Sequence, residues 1–527
     1  MNKQDNIGKE FLNKKFSEND IDKIINRFHF SEEAKQIIKE ENLLPVGVLN
    51  RLNFSYPQYS TFNENADFIF NDKNHYSGIK GFREIIDILN KHGIKLENIE
   101  ERELFIKVYR FMATKHVLNL INWKNFEKDS LFQLVFPQPG MIRKDITEAY
   151  LKAATDEEKE KIVRNYIVET NPHDGKQKLN KPFFINENGE LEIIEGSQHK
   201  YPPCQLIFDF YTQNCFAFCT YCFRHAQVRG DEDMFLQKDV AQIHRYLKLH
   251  KETTDILITG GDAGFITPER FEEYINPIIN DPELLHIKTI RLGTRVLTYN
   301  PEIILTRDYV KMLNLFKKLY DNGIQILIMS HFSTPRELLN AATIAAIRRL
   351  KAYGVTLKSQ SPIMNHISLF TDKDGKVDVD RSAQNWIDLG NILAMLGIGF
   401  HSMYCARPTG EHHYFTAPLA DINKIFSKVY RTLASINRPS RYITMTSSAG
   451  KISLLGTTEL KGETLFVLKF NEGRNMEWID KVYLAKYDDK ENIIEKLKKY
   501  ESDKFFYEDE LREIENELVK YMSSLKK

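Results

Sequence analysis

The chain has 527 residues, of which 42% are hydrophobic and 28% are charged, a balance typical of a soluble protein with a sizeable core. Lys plus Arg and Asp plus Glu each number 73, so the basic excess typical of nucleic-acid-binding proteins is missing. The N-terminal segment is polar, and no apolar run approaches the roughly 18 residues that a membrane-spanning helix needs. We therefore expect a cytoplasmic protein that binds neither nucleic acid nor membrane.

The first 196 residues are predicted to form a mainly helical N-terminal region. Apolar residues recur at near-helical spacing over Phe82–His92, and a second helix is predicted over Leu104–Leu120. The stretch Asn171–Pro203 contains the runs NPHDG, NENGE and YPP, which are rich in turn residues and predict loops.

Residues 197–455 have a different pattern, because short apolar runs alternate with longer amphipathic segments. This alternation predicts parallel βαβ units, and six such units predict an α/β fold with a partial or closed parallel barrel. In such barrels the active site lies at the C-terminal ends of the strands. The predicted strands are Gln205–Tyr211, Asp255–Thr259, Thr289–Leu292, Ile324–Met329, Thr356–Lys358 and Ile398–Tyr404. The predicted helices are Gln237–Leu249, Pro268–Ile278, Val310–Asn322, Pro335–Tyr353 and Arg381–Leu396.

Residues 456–527 are predicted to form a small α+β extension with two strands, Thr464–Phe470 and Lys481–Lys486, and a polar helix. The apolar face of that helix consists of Leu511, Ile514, Leu518 and Leu525. Such a face usually covers the protein's own core, which is the interpretation that we favour. The alternative is that it packs against a second copy of the chain in a homo-oligomer.

Three of the five cysteines, Cys215, Cys219 and Cys222, fall within eight residues, which indicates a metal site rather than a disulfide framework. Thiolates are the usual ligands of iron–sulfur clusters, and three of them leave one iron of a cubane open to a small chelating molecule. The aromatic Tyr221 is suited to packing against a bound purine. Structural zinc with His225 or a distant cysteine is the alternative, but zinc sites usually pair two CxxC halves.

The pattern CxxxCxxC with an aromatic residue before its third cysteine resembles the radical S-adenosylmethionine superfamily. The resemblance implies a [4Fe–4S] cluster on these three cysteines, with S-adenosylmethionine chelating the open iron through its amino and carboxylate groups. An electron from the cluster, supplied by a donor such as flavodoxin or ferredoxin, then yields a 5′-deoxyadenosyl radical. The fold that it implies is the superfamily's partial (β/α)6 TIM-like barrel.

The same resemblance implies which residues contact S-adenosylmethionine. The run Gly260-Gly261-Asp262 is similar to a glycine-rich strand end that meets the methionyl amino group, although a GGD run alone indicates only a turn. The implied contacts are Tyr221, Gly260, Gly261, Asp262, His331 and Gln360. For His331 and Gln360, polar filling of the core is the alternative.

A narrower resemblance, to lysine 2,3-aminomutase and its relatives, runs from about Ser197 to Asp480. Its motifs are Gln198-His199-Lys200-Tyr201-Pro202, Gly293-Thr294-Arg295, His331-Phe332 with Pro335 and Glu337, Gly354-Val355 with Leu357, Gln360-Ser361, and Ser447-Ser448-Ala449-Gly450-Lys451-Ile452. The resemblance implies that Lys451 holds pyridoxal phosphate, that Lys200 replaces an arginine that helps bind the cofactor's phosphate, and that Arg224 binds the substrate's α-carboxylate.

The residues by themselves support these three roles unequally. Small residues before Lys451 allow close backbone approach, yet SSAGK before an apolar strand predicts by itself only a turn and a surface lysine. Lys200 keeps the charge of an arginine but loses its bidentate fork. Arg224 suits a planar carboxylate, with an ordinary surface ion pair as the alternative.

The chain departs from the lysine-specific members at two positions. Those members bind the distal amino group of lysine with two aspartates, and this chain has Ala406 and Thr444 there. A buried ammonium without partners is costly, so we expect a substrate other than lysine. The neighbouring Arg407 favours an acidic or neutral substrate side chain, with a solvated arginine as the alternative. No cysteine follows Cys405, so the additional zinc site of some members is not expected.

These observations predict a radical aminomutase that moves an amino group between adjacent carbons, C2 and C3, of a free amino acid. Two alternatives remain open. The first is a radical enzyme of another reaction type, which modifies a protein-bound residue or epimerises or eliminates its substrate. The second is a non-catalytic metal-binding scaffold.

Overall fold

The computed structural model describes residues 15–27, 30–62, 68–171, 175–230 and 234–524. In the N-terminal region the described residues form helices and two short antiparallel pairs, of which the first is β1 (His75–Ser77) with β2 (Met112–Thr114). The helices of this region are Glu18–Arg27, Glu32–Glu40, Val46–Ser55, Gly78–Lys91, Ile99–Val108, Lys115–Leu120, Ser130–Val135, Lys144–Lys152 and Asp156–Glu169.

The single helix predicted over Leu104–Leu120 is wrong, because β2 interrupts it. The first helix ends at Val108, and the next begins after Thr114, whose hydroxyl accepts a hydrogen bond from Val117 N at 3.3 Å. Nearly every residue between the two helices is buried, so the segment lacks the alternation by which a strand is distinguished from a helix. The predicted loop before Pro203 also contains strands, β3 (Phe183–Ile185) and β4 (Leu191–Ile193), which pair as a hairpin.

The core of the molecule is an eleven-stranded sheet that runs in sequence order from β5 to β15. Its strands are β5 (Ser197–Tyr201), β6 (Cys204–Phe208), β7 (Asp255–Thr259), β8 (Thr289–Thr294), β9 (Gln325–Ser330), β10 (Thr356–Ile363), β11 (Gly399–Cys405), β12 (Ile443–Thr446), β13 (Gly450–Leu460), β14 (Glu463–Gly473) and β15 (Val482–Lys486). Strands β6 to β12 are mutually parallel. The flanking strands β5 and β13 to β15 are antiparallel to their neighbours.

The sheet curls so that β5, on one side of the parallel strands, meets β13 on the other side. Lys200 on β5 donates a hydrogen bond to the carbonyl of Ser447, just before β13. The amine of Lys451 on β13 lies 4.9 Å from the centre of the Tyr201 ring on β5. Side chains join the two ends, and no strand pairing between β5 and β13 closes the barrel within the described residues. The prediction of an α/β partial barrel is therefore confirmed.

Helices cover the outside of the parallel strands. They are Val240–Leu249, Pro268–Asn280, Val310–Asp321, Ala341–Ala352, Val379–Met395 and Leu419–Thr432, with shorter helices at His225–Arg229, Val296–Tyr299 and His412–Phe415. The helix predicted to begin at Pro335 begins instead at Ala341, because Asn340 caps it by accepting a hydrogen bond from Thr343 N at 2.9 Å.

The first strand of the barrel ends earlier than the predicted Tyr211. It stops at Phe208, and the buried Asp209 accepts a hydrogen bond from Tyr211 N at 2.9 Å and begins a short 3-10 turn, Phe210–Gln213. This turn leads the chain from the C-terminal end of β6 into the cysteine motif, at the end of the barrel where the active site is expected.

The C-terminal strands extend the barrel sheet, and the last helix, Glu508–Ser524, packs on its own chain. Leu511 is buried in the core and Ile514 packs against it, while Tyr521 stacks on Phe183 at 4.5 Å. Leu525 lies outside the described residues. Among the helices that the structure describes, none has both the length and the apolar character to cross a membrane.

Candidate active site

The three cysteines of the motif lie together in one loop after β6. Cys222 N donates a hydrogen bond to the carbonyl of Cys219 at 2.9 Å, which turns the loop back on itself. Burial raises the pKa of the Cys222 thiol to about 12, and the neighbouring Cys219 adds to this effect. Burial also raises the pKa of Cys215, with Cys222, Asp262 and Cys219 adding to the effect. All three thiols therefore interact with one another in a water-poor loop.

The donor set consists of three thiols, which are the usual ligands of an iron–sulfur cluster. Within the described ranges, no three His, Cys, Asp or Glu side chains converge on a point where one metal ion would bind. A cluster holds its cysteines on separate iron atoms, so they do not need to converge. The Cys219 sulfur also lies 2.9 Å from the hydroxyl of Tyr299 and 3.7 Å from the Arg295 guanidinium, and such donors stabilise a thiolate ligand.

The end of β7 packs directly on the cysteine loop. Gly261 N donates to the Thr212 carbonyl at 2.8 Å. A Cβ atom at Gly261 would lie 2.9 Å from Cys215 Sγ and 2.6 Å from the Asn214 carbonyl oxygen. Gly260 has a φ of +146°, in the region that disfavours other residues. The glycines therefore allow the strand end to touch the loop that carries the first cysteine.

Gly261→Ala tests this close packing. We expect the added methyl group to lower the free energy of unfolding by about 1–3 kcal/mol and to reduce the iron bound after anaerobic reconstitution, because Cys215 must shift. The matched control is Gly293→Ala, where the nearest atom to an added Cβ lies 3.5 Å away. Equal iron contents in the two variants would show that the close packing of Gly261 on Cys215 does not affect cluster binding.

Asp262 joins the ends of β7 and β8. Its carboxylate accepts hydrogen bonds from Gly264 N at 2.8 Å, from Arg295 N at 3.0 Å and from the hydroxyl of Thr294. Burial raises the pKa of Asp262 to about 6, against the effect of these donors. Its hydrogen bonds are thus made within the protein, and a contact with S-adenosylmethionine stays a prediction.

A buried ion pair positions Tyr221, the aromatic residue of the cysteine motif. Arg295 donates to the Tyr221 hydroxyl at 2.8 Å and forms an ion pair with Glu337 at 2.7 Å. Glu337 also accepts a hydrogen bond from Ser333 N at 2.6 Å. Two of the predicted motifs, at Gly293-Thr294-Arg295 and around Glu337, therefore meet behind the cysteine loop.

His331 and Gln360 come from neighbouring strands and contact each other, with 3.5 Å between their side-chain nitrogens. The His331 ring lies 6.4 Å from the ring of Tyr404. Burial, with the nearby Arg295 and Arg224, lowers the pKa of His331 to about 3. The imidazole is therefore neutral at physiological pH. The role of both residues in binding S-adenosylmethionine stays a prediction.

Arg224 lies half-buried between aromatic rings. Its guanidinium lies 5.0 Å from the centre of the Phe208 ring and 5.3 Å from that of Phe223, and it donates to the hydroxyl of Thr259. Burial lowers the pKa of Arg224 to about 10, and the neighbouring Arg407 adds to this effect. Among the described residues, no carboxylate pairs with Arg224 or Arg407, so the surface ion pair considered for Arg224 is not observed.

Lys451 lies on β13 directly opposite Glu472 on β14. Its amine is 2.6 Å from Glu472 Oε2 and faces the ring of Tyr201. Burial lowers the pKa of Lys451, and the carboxylate of Glu472 opposes this change. The interpretation of Lys451 as an ordinary surface lysine does not match this half-buried position at the junction of the barrel.

The surroundings of Lys451 fit a phosphorylated aldehyde cofactor. The hydroxyl of Tyr201 is buried and has no hydrogen-bond partner within the part of the chain that the structure describes. Burial lowers the pKa of Lys200 well below its usual value, and the nearby cations Arg474, Arg407 and Lys451 lower it further. An anionic phosphate placed here would receive donors and relieve the repulsion among these cations.

Comparison with known proteins supports the resemblance. No family model matches the chain. A protein of Aquifex aeolicus (strain VF5) with the provisional name L-lysine 2,3-aminomutase is 26% identical over 381 residues, which are 72% of this chain and 86% of that protein. This chain is therefore similar, at low identity, to proteins named lysine 2,3-aminomutase.

A second relative differs in the substrate that its name gives. The glutamate 2,3-aminomutase of Clostridioides difficile (strain 630) is 29% identical over 201 residues, which cover 36% of this chain and 44% of that protein. Among solved structures, a radical SAM methyltransferase from Sphaerobacter thermophilus matches 50% of this chain and 73% of its own, with 15% identity and a TM-score of 0.30. That similarity is too weak to support a conclusion about this chain.

The sequence did not predict two residues of this site, Glu472 and Tyr299. Glu472 had a signal: the hairpin β13–β14 turns at Lys461-Gly462, both with positive φ, as a two-residue turn requires. Lys451 lies ten residues before Lys461 and Glu472 lies ten after Gly462, and the two pair because one bulge on each strand leaves the count from the turn unchanged. Tyr299 had no such signal, because it reaches Cys219 from a different barrel unit.

Proposed function

We propose that this chain is a radical S-adenosylmethionine aminomutase that moves an amino group between C2 and C3 of a free amino acid other than lysine. The observation that carries the proposal is a continuous group of half-buried basic side chains between the cysteine loop and β13. Electrostatic interactions link Cys222 to Arg224, Arg224 to Arg407, Arg407 to Lys200, and Lys200 to Lys451. Such a group suits a cofactor phosphate and substrate carboxylates lying between a radical source and an amine.

The proposed cofactors are a [4Fe–4S] cluster on Cys215, Cys219 and Cys222, S-adenosylmethionine and pyridoxal phosphate. When bound, they supply an electron, a carbon-centred radical that exchanges hydrogen with the substrate, and an aldehyde with an aromatic ring that carries the migrating nitrogen. The net reaction moves the amino group from C2 to C3 and one hydrogen from C3 to C2. An electron carrier such as flavodoxin or ferredoxin is the proposed donor.

The protein's own groups orient the substrate and exclude water. Arg224, held between Phe208 and Phe223 and without an acidic partner among the described residues, directs its donors at the α-carboxylate. Lys451 supplies an amine at the junction of the barrel ends, and Lys200 supplies positive charge for the phosphate. The aromatic and buried lining keeps bulk water away from these contacts, which strengthens each of them.

Neither of the two positions that hold aspartates in the lysine-specific members offers a negative charge to a substrate ammonium. Ala406 and Thr444 are both buried and carry no negative charge. The Arg407 guanidinium lies 5.1 Å from the centre of the Phe223 ring, on the same ring that contacts Arg224. A second ammonium would therefore be desolvated beside two guanidinium groups. A neutral or acidic side chain avoids that cost, and an acidic one gains donors from Arg407.

Turnover across an amino-acid panel tests the proposal. The reconstituted protein is supplied with reductant, S-adenosylmethionine and pyridoxal phosphate, and products are identified by mass spectrometry. We expect a β-amino acid from an acidic or neutral substrate and none from lysine. Lysine as the best substrate would contradict the substrate assignment. Release of 5′-deoxyadenosine without any bond between Lys451 and pyridoxal phosphate would favour another radical reaction, and loss of both would favour a scaffold.

Arg407→Met tests the side-chain contact. With an acidic substrate we expect KM to rise about tenfold to a hundredfold, the loss expected for hydrogen bonds to a charged group, while 5′-deoxyadenosine release without substrate is unchanged. Arg512→Met is the control, because that arginine is exposed on the last helix. An unchanged KM for every accepted substrate in Arg407→Met would mean that Arg407 does not contact the substrate.

A further inference from the structure

Glu472 is held in place by two cations. Its Oε2 lies 2.6 Å from the amine of Lys451, and its Oε1 lies 2.8 Å from the guanidinium of Arg441. The two residues Lys451 and Glu472 are cross-strand partners on β13 and β14, so the backbone ladder fixes their separation. Arg441 precedes β12 and approaches from the other side. The carboxylate is therefore fixed by the sheet and by a second side chain.

The ion pair sets where the amine of Lys451 can lie. A lysine side chain has a flexible four-carbon stem and no preferred direction on its own. Here the carboxylate of Glu472 draws the amine to a position 4.9 Å from the centre of the Tyr201 ring, across the junction of the barrel ends. The charged and titratable groups that face this pair from the adjoining elements are Lys200, Tyr201, Cys204, Arg291, His401 and Arg441.

We propose that Glu472, anchored by Arg441, is a positioning residue that holds the Lys451 amine as a charged ion pair at the junction of the barrel ends. The inference rests on the proposed role of Lys451 as the lysine that binds the cofactor. In the protein without cofactor, Glu472 favours the protonated amine, against the effect of burial and of Arg441, which lower the pKa of Lys451. Glu472 thus controls the fraction of Lys451 that is available as a free amine at a given pH.

The test measures the reactivity of Lys451 in the full chain without cofactor. Acetic anhydride labels neutral amines, and mass spectrometry reports the extent of labelling of each lysine across a pH series. In Glu472→Gln we expect the labelling midpoint of Lys451 to move to lower pH. At a fixed pH below the midpoint, labelling then rises about tenfold for every pH unit by which the midpoint falls. Lys490, an exposed lysine after β15, serves as the internal reference in every sample.

Three variants separate positioning from a merely structural effect. Glu463→Gln is the matched control, because Glu463 lies on the same strand and pairs with an exposed lysine; its Lys451 midpoint stays at the wild-type value. Glu472→Asp keeps the charge and restores most of the wild-type midpoint. Arg441→Gln moves the midpoint to higher pH, because a cation that disfavours the charged amine is lost while the carboxylate remains; this variant reports the effect of Arg441 alone. If Glu472→Gln does not fold, Glu472→Asp carries the test, because its shorter side chain draws the carboxylate away from the amine and lowers the midpoint by a smaller amount.

A wild-type labelling midpoint in Glu472→Gln, or in Glu472→Asp where only that variant folds, would overturn the inference. Its failure is distinguishable from failure of the proposed function, because the labelling is done without cofactor. A separate incubation with pyridoxal phosphate and borohydride reports whether the cofactor bonds to Lys451. A lowered midpoint in Glu472→Gln supports the inference whether or not that bond forms in the wild-type protein.

Discussion

Cys219→Ser is expected to abolish cluster assembly. The chain has only five cysteines, and the two outside the motif, Cys204 and Cys405, are single residues on barrel strands. No spare thiol therefore lies in the loop to replace the lost ligand, and a serine hydroxyl is a poor substitute for a thiolate. We expect the iron content after anaerobic reconstitution to fall from about four atoms per chain to a trace. The visible absorbance of the cluster and the release of 5′-deoxyadenosine are expected to disappear with it.

Cys405→Ala is the control for this experiment. Cys405 is buried on β11, so its loss leaves a small cavity and costs about 1 kcal/mol of stability, but it removes no proposed ligand. We expect full iron content in this variant. A cluster that survives in Cys219→Ser, or one that is lost in Cys405→Ala, would contradict the assignment of the three motif cysteines.

Lys451→Ala is expected to remove the covalent attachment of pyridoxal phosphate and all aminomutase turnover. The reason is that the amine of Lys451 is the only group at the junction of the barrel ends to which we assign the bond with the cofactor aldehyde. After incubation with pyridoxal phosphate and reduction with borohydride, the wild-type peptide that contains Lys451 gains the mass of one cofactor. The same peptide of the variant gains nothing, while iron content is unchanged.

Lys486→Ala controls for the loss of a lysine from the same sheet. Lys486 is exposed on β15 and pairs with Glu463 at 3.6 Å, a surface pair of little energetic value. We expect cofactor attachment and turnover at the wild-type level. Attachment of the cofactor to a different lysine in the wild-type protein would refute the role of Lys451, whatever the activity of the variants.

The parallel strands of the barrel were predictable because each is a short apolar run between amphipathic helices. The boundaries of Asp255–Thr259 agree with the prediction, and those of the other strands differ by one to several residues at an end. The errors fall where capping decides, as at Asp209, or where burial leaves no periodicity, as between Leu104 and Leu120. Apolar periodicity reveals neither the point at which a capped strand ends nor the strand within a fully buried segment.

Some neighbours in the site are set by local sequence, and others are set only by the fold. The cysteine motif and the pairing of Lys451 with Glu472 are local, since a short loop and a two-residue turn determine which side chains are neighbours. The sequence by itself therefore determined the proposed cluster ligands, whereas the partner of Lys451 also depends on two bulges in the hairpin ladder. Nothing local brings Arg224, Arg407 and Lys200 together, because each comes from a different strand end. Only the curled sheet brings these three side chains close together, since strands far apart in sequence become neighbours when the ends of the barrel meet.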